Sequence, residues 1–312
     1  MSEAAAGGAA EERVWRAVPA AARHALQSGL GASDLQTLLL AVVRARAAAV
    51  PPARVVRRWQ EDRFVRPAAA DPRRLAEVEA ALWRLLPDRV AGVELAPVAP
   101  LGTCSAVAPV DQHRVVSTVR GTEVLSDPTN ALAVEAAVRR RAAGPAGRVD
   151  LAAAHRVLRA QRFRPGASAH FRLFAVVSSA RDRGSGRTEA ELLVDHLLFW
   201  QRALGALAPG AGCRLTVTLF GHPVLGERLA DTVLPAVSDG TVPVTVDAGR
   251  TRGAGYYAGA ALRLAAAAGG GEVEIGDGGL VDWTAQFLGD AKERCLISCV
   301  ATERLADLTA LR

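Results

Sequence analysis

The chain has 312 residues, half of them hydrophobic, enough for one large core with an appendage or for two domains. Its formal net charge of +6 comes almost wholly from arginine, since Lys292 is the one lysine in an alanine-rich chain. That reads as compositional bias and does not demand a polyanionic partner. No apolar run could cross a bilayer, because the longest uncharged stretch, 95–110, is broken by Pro97, Pro100 and Pro109.

The four cysteines, Cys104, Cys213, Cys295 and Cys299, form no C-x-x-C pair, and no histidine spacing suits zinc. With no secretory start, they read as reduced, buried thiols of a cytoplasmic protein. Residues 1–12, rich in alanine, glycine and glutamate, read as a disordered tail. A helical segment follows over 13–72, and 73–312 reads as the main domain. Ser33-Asp34-Leu35-Gln36 has capping-box spacing ahead of the apolar run from Leu38 to Val43. A short arginine-rich helix is predicted near 53–62, where Arg54, Arg57 and Arg58 read as a solvated face that could also touch phosphates.

Asp71-Pro72 is a strong helix start, a capping carboxylate followed by proline at the first helical position. Leu75, Val78, Leu82 and Leu85 recur on one face, and Pro87 stops the helix before the extended, proline-bearing stretch 93–100. Residues 115–125 alternate as strands. Asp127-Pro128 then repeats the cap-and-proline signal for a helix to about Arg141. Residues 155–161 and 170–177 read as two strands joined by a turn at 164–169. A clear amphipathic helix spans 189–206, with Leu193, Leu197, Trp200 and Leu204 on its stripe and His196 off it, at the surface or an interface. Strands follow at 214–220 and 242–246.

Both tyrosines of the chain sit side by side in Arg252-Gly253-Ala254-Gly255-Tyr256-Tyr257-Ala258-Gly259. Read as a strand, this stretch sends the two rings to opposite faces. Arg252 offers a fork of donors suited to a carboxylate or phosphate. A glycine turn, 269–271, then leads into Glu274-Ile275-Gly276-Asp277-Gly278-Gly279-Leu280-Val281-Asp282. Last come an apolar strand, 295–301, and Thr302-Glu303-Arg304-Leu305.

The tyrosine stretch resembles the Arg-Gly-Leu-x-Tyr-Tyr-Thr-Gly segment of histidyl-tRNA synthetases. Flanking segments match in the same order over about 74–312. The helix and strand before Pro100 resemble the first class II synthetase motif, which in that family builds a dimer interface. The paired strands around Arg159 resemble the second motif, and the strand before Thr302-Glu303-Arg304-Leu305 resembles the third. The implied fold is α+β: a mostly antiparallel sheet flanked by helices, with the N-terminal helical segment added. By the resemblance, Arg159 clamps the α-phosphate of ATP, and Gln161 meets an adenine edge where the family has glutamate. Phe174 and Arg304 sandwich adenine, and Arg172 completes the nucleotide site. Asp127 and Thr129 hold a substrate α-amino group, while Arg252, Tyr256 and Tyr257 line the substrate floor. Leu173 replaces a family glutamate, and Ala301 a glycine.

The implied activity is ATP-dependent activation of an amino or carboxylic acid as its adenylate, with Mg²⁺. The acyl acceptor would be a tRNA, a carrier protein or a small amine. The competing expectation is a non-catalytic paralog like the regulatory subunit of ATP phosphoribosyltransferase, which binds a partner enzyme and senses an amino acid. An RNA-binding role for the arginine-rich helices ranks third. The chain ends after the third motif, with no residues for the anticodon-binding domain of a full histidyl synthetase.

Overall fold

The computed structural model describes residues 3–144, 147–163, 168–268 and 271–309. Most of the predicted turn at 164–169 and of the glycine turn at 269–271 lies outside them. The chain divides into two compact units. One comprises 1–62 with 117–122, the other 63–116 with 123–312. The boundary thus falls ten residues before the expected start of the main domain, and a short internal segment joins the first unit.

The first unit is helical: α1 (Glu3–Arg16), α2 (Ala20–His24), α3 (Ala32–Ala48) and α4 (Pro52–Glu61). Residues 3–12 are therefore not the disordered tail expected. Alanine has the best helix propensity, and the Trp15 indole donates to Glu11 one turn back at 3.0 Å. The capping box at Ser33 does not form either. Helix α3 starts earlier, with Gly31 at its N-cap and no side-chain cap. No residue of α2, α3 or α4 is buried.

The second unit opens with α5 (Pro72–Leu85), capped as expected by the Asp71 carboxylate on the Arg73 amide at 2.9 Å. Then come β1 (Ala91–Gly92), β2 (Val98–Pro100), β3 (Thr122–Val124) and α6 (Pro128–Ala143). The rest are β4 (Arg148–Leu158), β5 (His170–Arg181), α7 (Arg187–Leu207), β6 (Arg214–Leu219), α8 (Pro223–Arg228), α9 (Leu234–Ala236), β7 (Val244–Val246), β8 (Ala260–Ala268), β9 (Gly271–Val281), α10 (Trp283–Leu288), β10 (Glu293–Ala301) and α11 (Thr302–Thr309).

Eight strands form one sheet in the order β1-β4-β5-β10-β9-β8-β6-β7. Its six central strands are antiparallel, and β1 and β7 run parallel to their neighbours at the edges. Side chains alternate between faces, so the sheet carries two cores. Phe174, Val176, Leu296 and Val300 pack under α7, with Leu75, Val78 and Leu82 of α5. Leu173, Ala175, Val177, Cys295 and Ile297 pack under α6, with Trp283 of α10.

Between Leu264–Gly276 and Ala265–Glu274 the β8–β9 register shifts, leaving Ile275 as a bulge. His196 on α7 is not at a surface. Only 2% exposed, it hydrogen-bonds Ser298 at 2.7 Å and Ser178 at 2.9 Å. Burial holds its imidazole neutral, with a pKa pushed down to about 3; the nearby Arg148 and Arg89 also lower it, and Asp195 partly opposes them. The amphipathic stripe missed it because α7 is covered over a wider arc than its leucines mark. A buried pair ties α6 to β10. Arg140 donates from Nε and Nη2 to both oxygens of Glu293, at 2.9 and 2.8 Å, with both side chains under 5% exposed.

Candidate active-site cleft

On the α6 face of the sheet, between strand ends and loops, lies a cleft with two lobes. The first, about 460 Å³, is lined by Asp127, Asn130, Arg159, Arg252, Tyr256 and Asp277, among others. The second, about 390 Å³, is lined by Phe171, Leu173, Ile275, Ala301, Arg304 and Asp307, among others. Arg159, Gln161, Arg252, Asp277 and Cys299 line both, so the lobes are continuous.

Each wall has a local cause. Asp127 caps α6, accepting from the Thr129 amide at 2.9 Å and the Thr129 hydroxyl at 2.7 Å on one oxygen. Its other oxygen accepts from Arg159 Nη2 at 3.2 Å. Arg159 lies just past β4. Its Nε donates to the Ser126 carbonyl at 2.8 Å, and its guanidinium lies 5.1 Å from the Phe171 ring centroid, a cation–π arrangement. Arg63 grips the next residues, donating to the carbonyls of Ala160 and Gln161. Arg304, on the first turn of α11, donates to the Glu274 carbonyl of β9 at 2.6 Å. Arg252 is mostly exposed and 3.4 Å from Glu274.

The tyrosine stretch is not a strand. It is a turn-rich loop in which both rings line the first lobe, edge to face with centroids 4.9 Å apart. Alternation therefore does not separate them. Gly253 sits at φ +96°, open to glycine at little cost, and it lets the Tyr257 amide reach the Gly253 carbonyl at 2.9 Å. Tyr257 then lies against the glycine-rich strand: a Cβ on Gly279 would stand 2.5 Å from its ring. Its hydroxyl donates to Asp277 Oδ2 at 3.2 Å. Burial pushes both phenols far above their usual titration range, and neighbouring Asp277 and Asp127 add to the shift. Burial likewise pushes the Asp277 carboxyl up, with Asp127 and Glu274 adding to the shift and Arg159 opposing it.

Two expected residues are not in the cleft. Phe174 is fully buried under α7, with Trp83 at 4.9 Å and Phe199 at 6.3 Å between centroids. Arg172 faces the same side, where it pairs with Glu79 of α5 through two bonds of 2.5 and 2.7 Å. The physical reason is strand parity. On β5 residues 171 and 173 face the cleft and 172 and 174 face the helices, so Phe171 is the ring beside Arg159. Thr129 lines the first lobe, but its hydroxyl is spent on Asp127.

Three participants escaped sequence reasoning. Arg63 acts across 97 residues and has no local signal. Asp277 stands as a lone acid in a run of glycines, which is a visible anomaly. Glu123, fully buried, accepts from the amides of Gly102 at 2.8 Å and Cys104 at 2.9 Å, and from the Gln112 side chain at 3.1 Å. It thereby fixes the loop that leads to Val110 and Arg114 at the rim of the first lobe. Among the described residues no group of three His, Cys, Asp or Glu side chains gathers to hold a metal ion. All four cysteines are buried and free, as expected.

Solved structures share this architecture. Histidyl-tRNA synthetase from S. aureus superposes with a TM-score of 0.56 at 15% identity, over 76% of this chain and 65% of that one. An ATP phosphoribosyltransferase regulatory subunit/histidyl-tRNA synthetase from Bacillus halodurans gives 0.59 at 12%, over 78% and 82%. A histidine–tRNA ligase subunit from Alicyclobacillus acidocaldarius gives 0.58 at 15%, over 79% and 97%. The fold is that of the class II aminoacyl-tRNA synthetase core. No protein-family model and no curated protein sequence matches the chain. The chain spans just under two thirds of the S. aureus synthetase. Among the described residues no helix is long and apolar enough to cross a membrane.

Proposed function

We propose that this protein is a histidyl-tRNA-synthetase-like paralog that binds ATP and a small amino or carboxylic acid in this cleft and joins them as an acyl adenylate. The observation that carries the reading is the convergence of Arg159, Arg252 and Arg304, far apart in sequence, around one continuous cavity. In the reaction a carboxylate oxygen of the acid attacks the α-phosphorus of ATP, the bond to the β-phosphate oxygen breaks, and pyrophosphate leaves. Such a step asks the protein for alignment and charge stabilisation more than for proton transfer. Arg159, at the junction of the lobes, stabilises the pentacoordinate phosphorus. Arg252 orients the attacking carboxylate, and Gln161 offers hydrogen bonds to the base. Adenine fits the second lobe between Phe171 and Arg304, in place of the Phe174 first assigned. ATP brings Mg²⁺ in such enzymes; among the described residues no three His, Cys, Asp or Glu side chains gather, and no residue is assigned to the ion.

The test is pyrophosphate–ATP exchange over a broad panel of amino and carboxylic acids. Exchange with one acid, abolished by Arg159→Ala, supports the reading. No exchange and no ATP-induced thermal shift would overturn it. The regulatory reading draws on Leu173, an apolar side chain in the second lobe where the resemblance expects a glutamate. Capture of a catalytic ATP phosphoribosyltransferase by the intact protein would support it.

A further inference from the structure

Two helices of the first unit lack what ordinarily holds a helix together. Isolated helices shorter than about 12–15 residues are marginal in water and depend on burying an apolar face. Helix α4 has 10 residues and α3 has 17, and neither buries a single one. Instead Leu38, Val42 and Val43 of α3 and Val55, Val56 and Trp59 of α4 stand 43 to 59% exposed. Apolar residues scattered singly over a surface are ordinary. Six on two successive helices make a docking face in want of an occupant.

Spacing and charge identify the occupant. In α3, Leu35, Leu39, Val42 and Arg46 recur at intervals of four, three and four residues, the seam of a helix pair. In α4, Val55, Val56 and Trp59 fall on one side and Arg54, Arg57 and Arg58 on the other. From 35 to 60 the chain has five arginines and no acid. A polyanion would meet the arginine side of α4 and leave its apolar side in water. A lipid surface would take the apolar side and leave the arginines turned away from its headgroups. A second copy satisfies both. Two α3 helices set antiparallel bring Arg46, at the end of one seam, beside Asp34, at the start of the other, with their dipoles opposed. Two α4 helices meet along Val55, Val56 and Trp59 with their arginines outward, so like charges stay apart. Folding α4 back on its own α3 would instead set Arg54 beside Arg44 and Arg46.

We propose that α3 and α4 form a two-fold interface with a second copy of this chain. The pairing is isologous: each copy offers the same apolar seam and the same Asp34 and Arg46 to the other. It is distinct from the helix-and-strand face before Pro100, to which the first-motif resemblance assigns a dimer. It does not depend on the adenylation reading, which pyrophosphate–ATP exchange tests separately.

The experiment is sedimentation velocity of the full chain over a concentration series, with amide exchange read on α3 and α4. The chain associates, and the amides of both helices gain protection as concentration rises. Val56→Glu with Trp59→Glu weakens association on the order of a hundredfold and halves the particle mass, whether or not the chain also pairs elsewhere. Both positions are exposed, so the main unit keeps its melting temperature. A charge arm tests the antiparallel setting. Arg46→Asp and Asp34→Arg each weaken self-association, and an equimolar mixture of the two variants restores it, because each then meets its opposite charge. A chain that stays monomeric, an unchanged mass in the double variant, exchange on α3 and α4 that ignores concentration, or no recovery on mixing would each overturn the interface. So would a monomer that binds phosphatidylserine vesicles or RNA through this face, which would give the surface to that partner instead.

Discussion

Phe171 and Phe174 sit three residues apart on β5, and a paired truncation separates binding from stability. Phe174→Ala deletes a fully buried ring held between Trp83 and Phe199. Losses of this kind cost about 3–5 kcal/mol, from transfer of the ring and from the cavity left behind. For a unit of this size a kilocalorie shifts Tm by roughly 2–4 °C, so melting should fall by roughly 10 °C or more. Phe171→Ala removes a half-buried ring whose contacts are Phe163, 6.1 Å away, and the Arg159 guanidinium. Its thermal cost should be about 1 kcal/mol or less. Its effect should fall on nucleotide affinity, through loss of the stacking surface, by roughly tenfold. The assay is a thermal melt of each variant with and without ATP. A Phe174→Ala protein that melts normally but no longer responds to ATP would refute the parity assignment of β5.

Removing one partner of the buried Arg140–Glu293 pair, as in Arg140→Met, should destabilise by about 3–5 kcal/mol, whereas Arg140→Met with Glu293→Leu should recover much of that, as read by denaturant titration. Arg63→Ala should lower exchange activity or ATP affinity with little change in Tm, because it frees the carbonyls of Ala160 and Gln161 without opening the core. The buried imidazole of His196 has its folded pKa depressed, so the unfolded chain takes up a proton that the folded one refuses. Stability should therefore fall as pH drops below about 6.5 towards about 3, by at most about 1.4 kcal/mol per pH unit from this group. His196→Gln should flatten that slope in pH-dependent melts. Burial holds the thiols of Cys104 and Cys295 at about 12, so a thiol reagent at pH 8 should titrate them only after unfolding.

The parts of the fold legible in the sequence are those with local chemistry. Asp71-Pro72 and Asp127-Pro128 set the starts of α5 and α6, and the leucine spacing set α7. The resemblance anticipated the sheet, and Arg159, Gln161, Arg252, Tyr256 and Arg304 do line one cleft. The face of β5 was not legible, because Phe171 and Leu173 are as apolar as Phe174 and Val176. A strand buried on both sides has no polar alternation to orient it. The tyrosine loop misled for a related reason: its glycines permit positive φ, which breaks the two-residue period that a strand reading assumes. Long-range grips such as Arg63 on Ala160, or Glu123 on Gly102 and Cys104, leave no trace in spacing at all.

The Glu123 anchor bears on how mutational maps of this protein read. It lines neither lobe of the cleft, yet it sets the course of the loop that reaches Val110 and Arg114. Substitution there would slacken one rim of the first lobe while the eight-stranded sheet stayed whole. In a survey scored on activity alone, Glu123 would be indistinguishable from a substrate contact. Only a probe of the loop itself, such as amide exchange at Gly102 and Cys104, would tell a lost grip from a lost ligand.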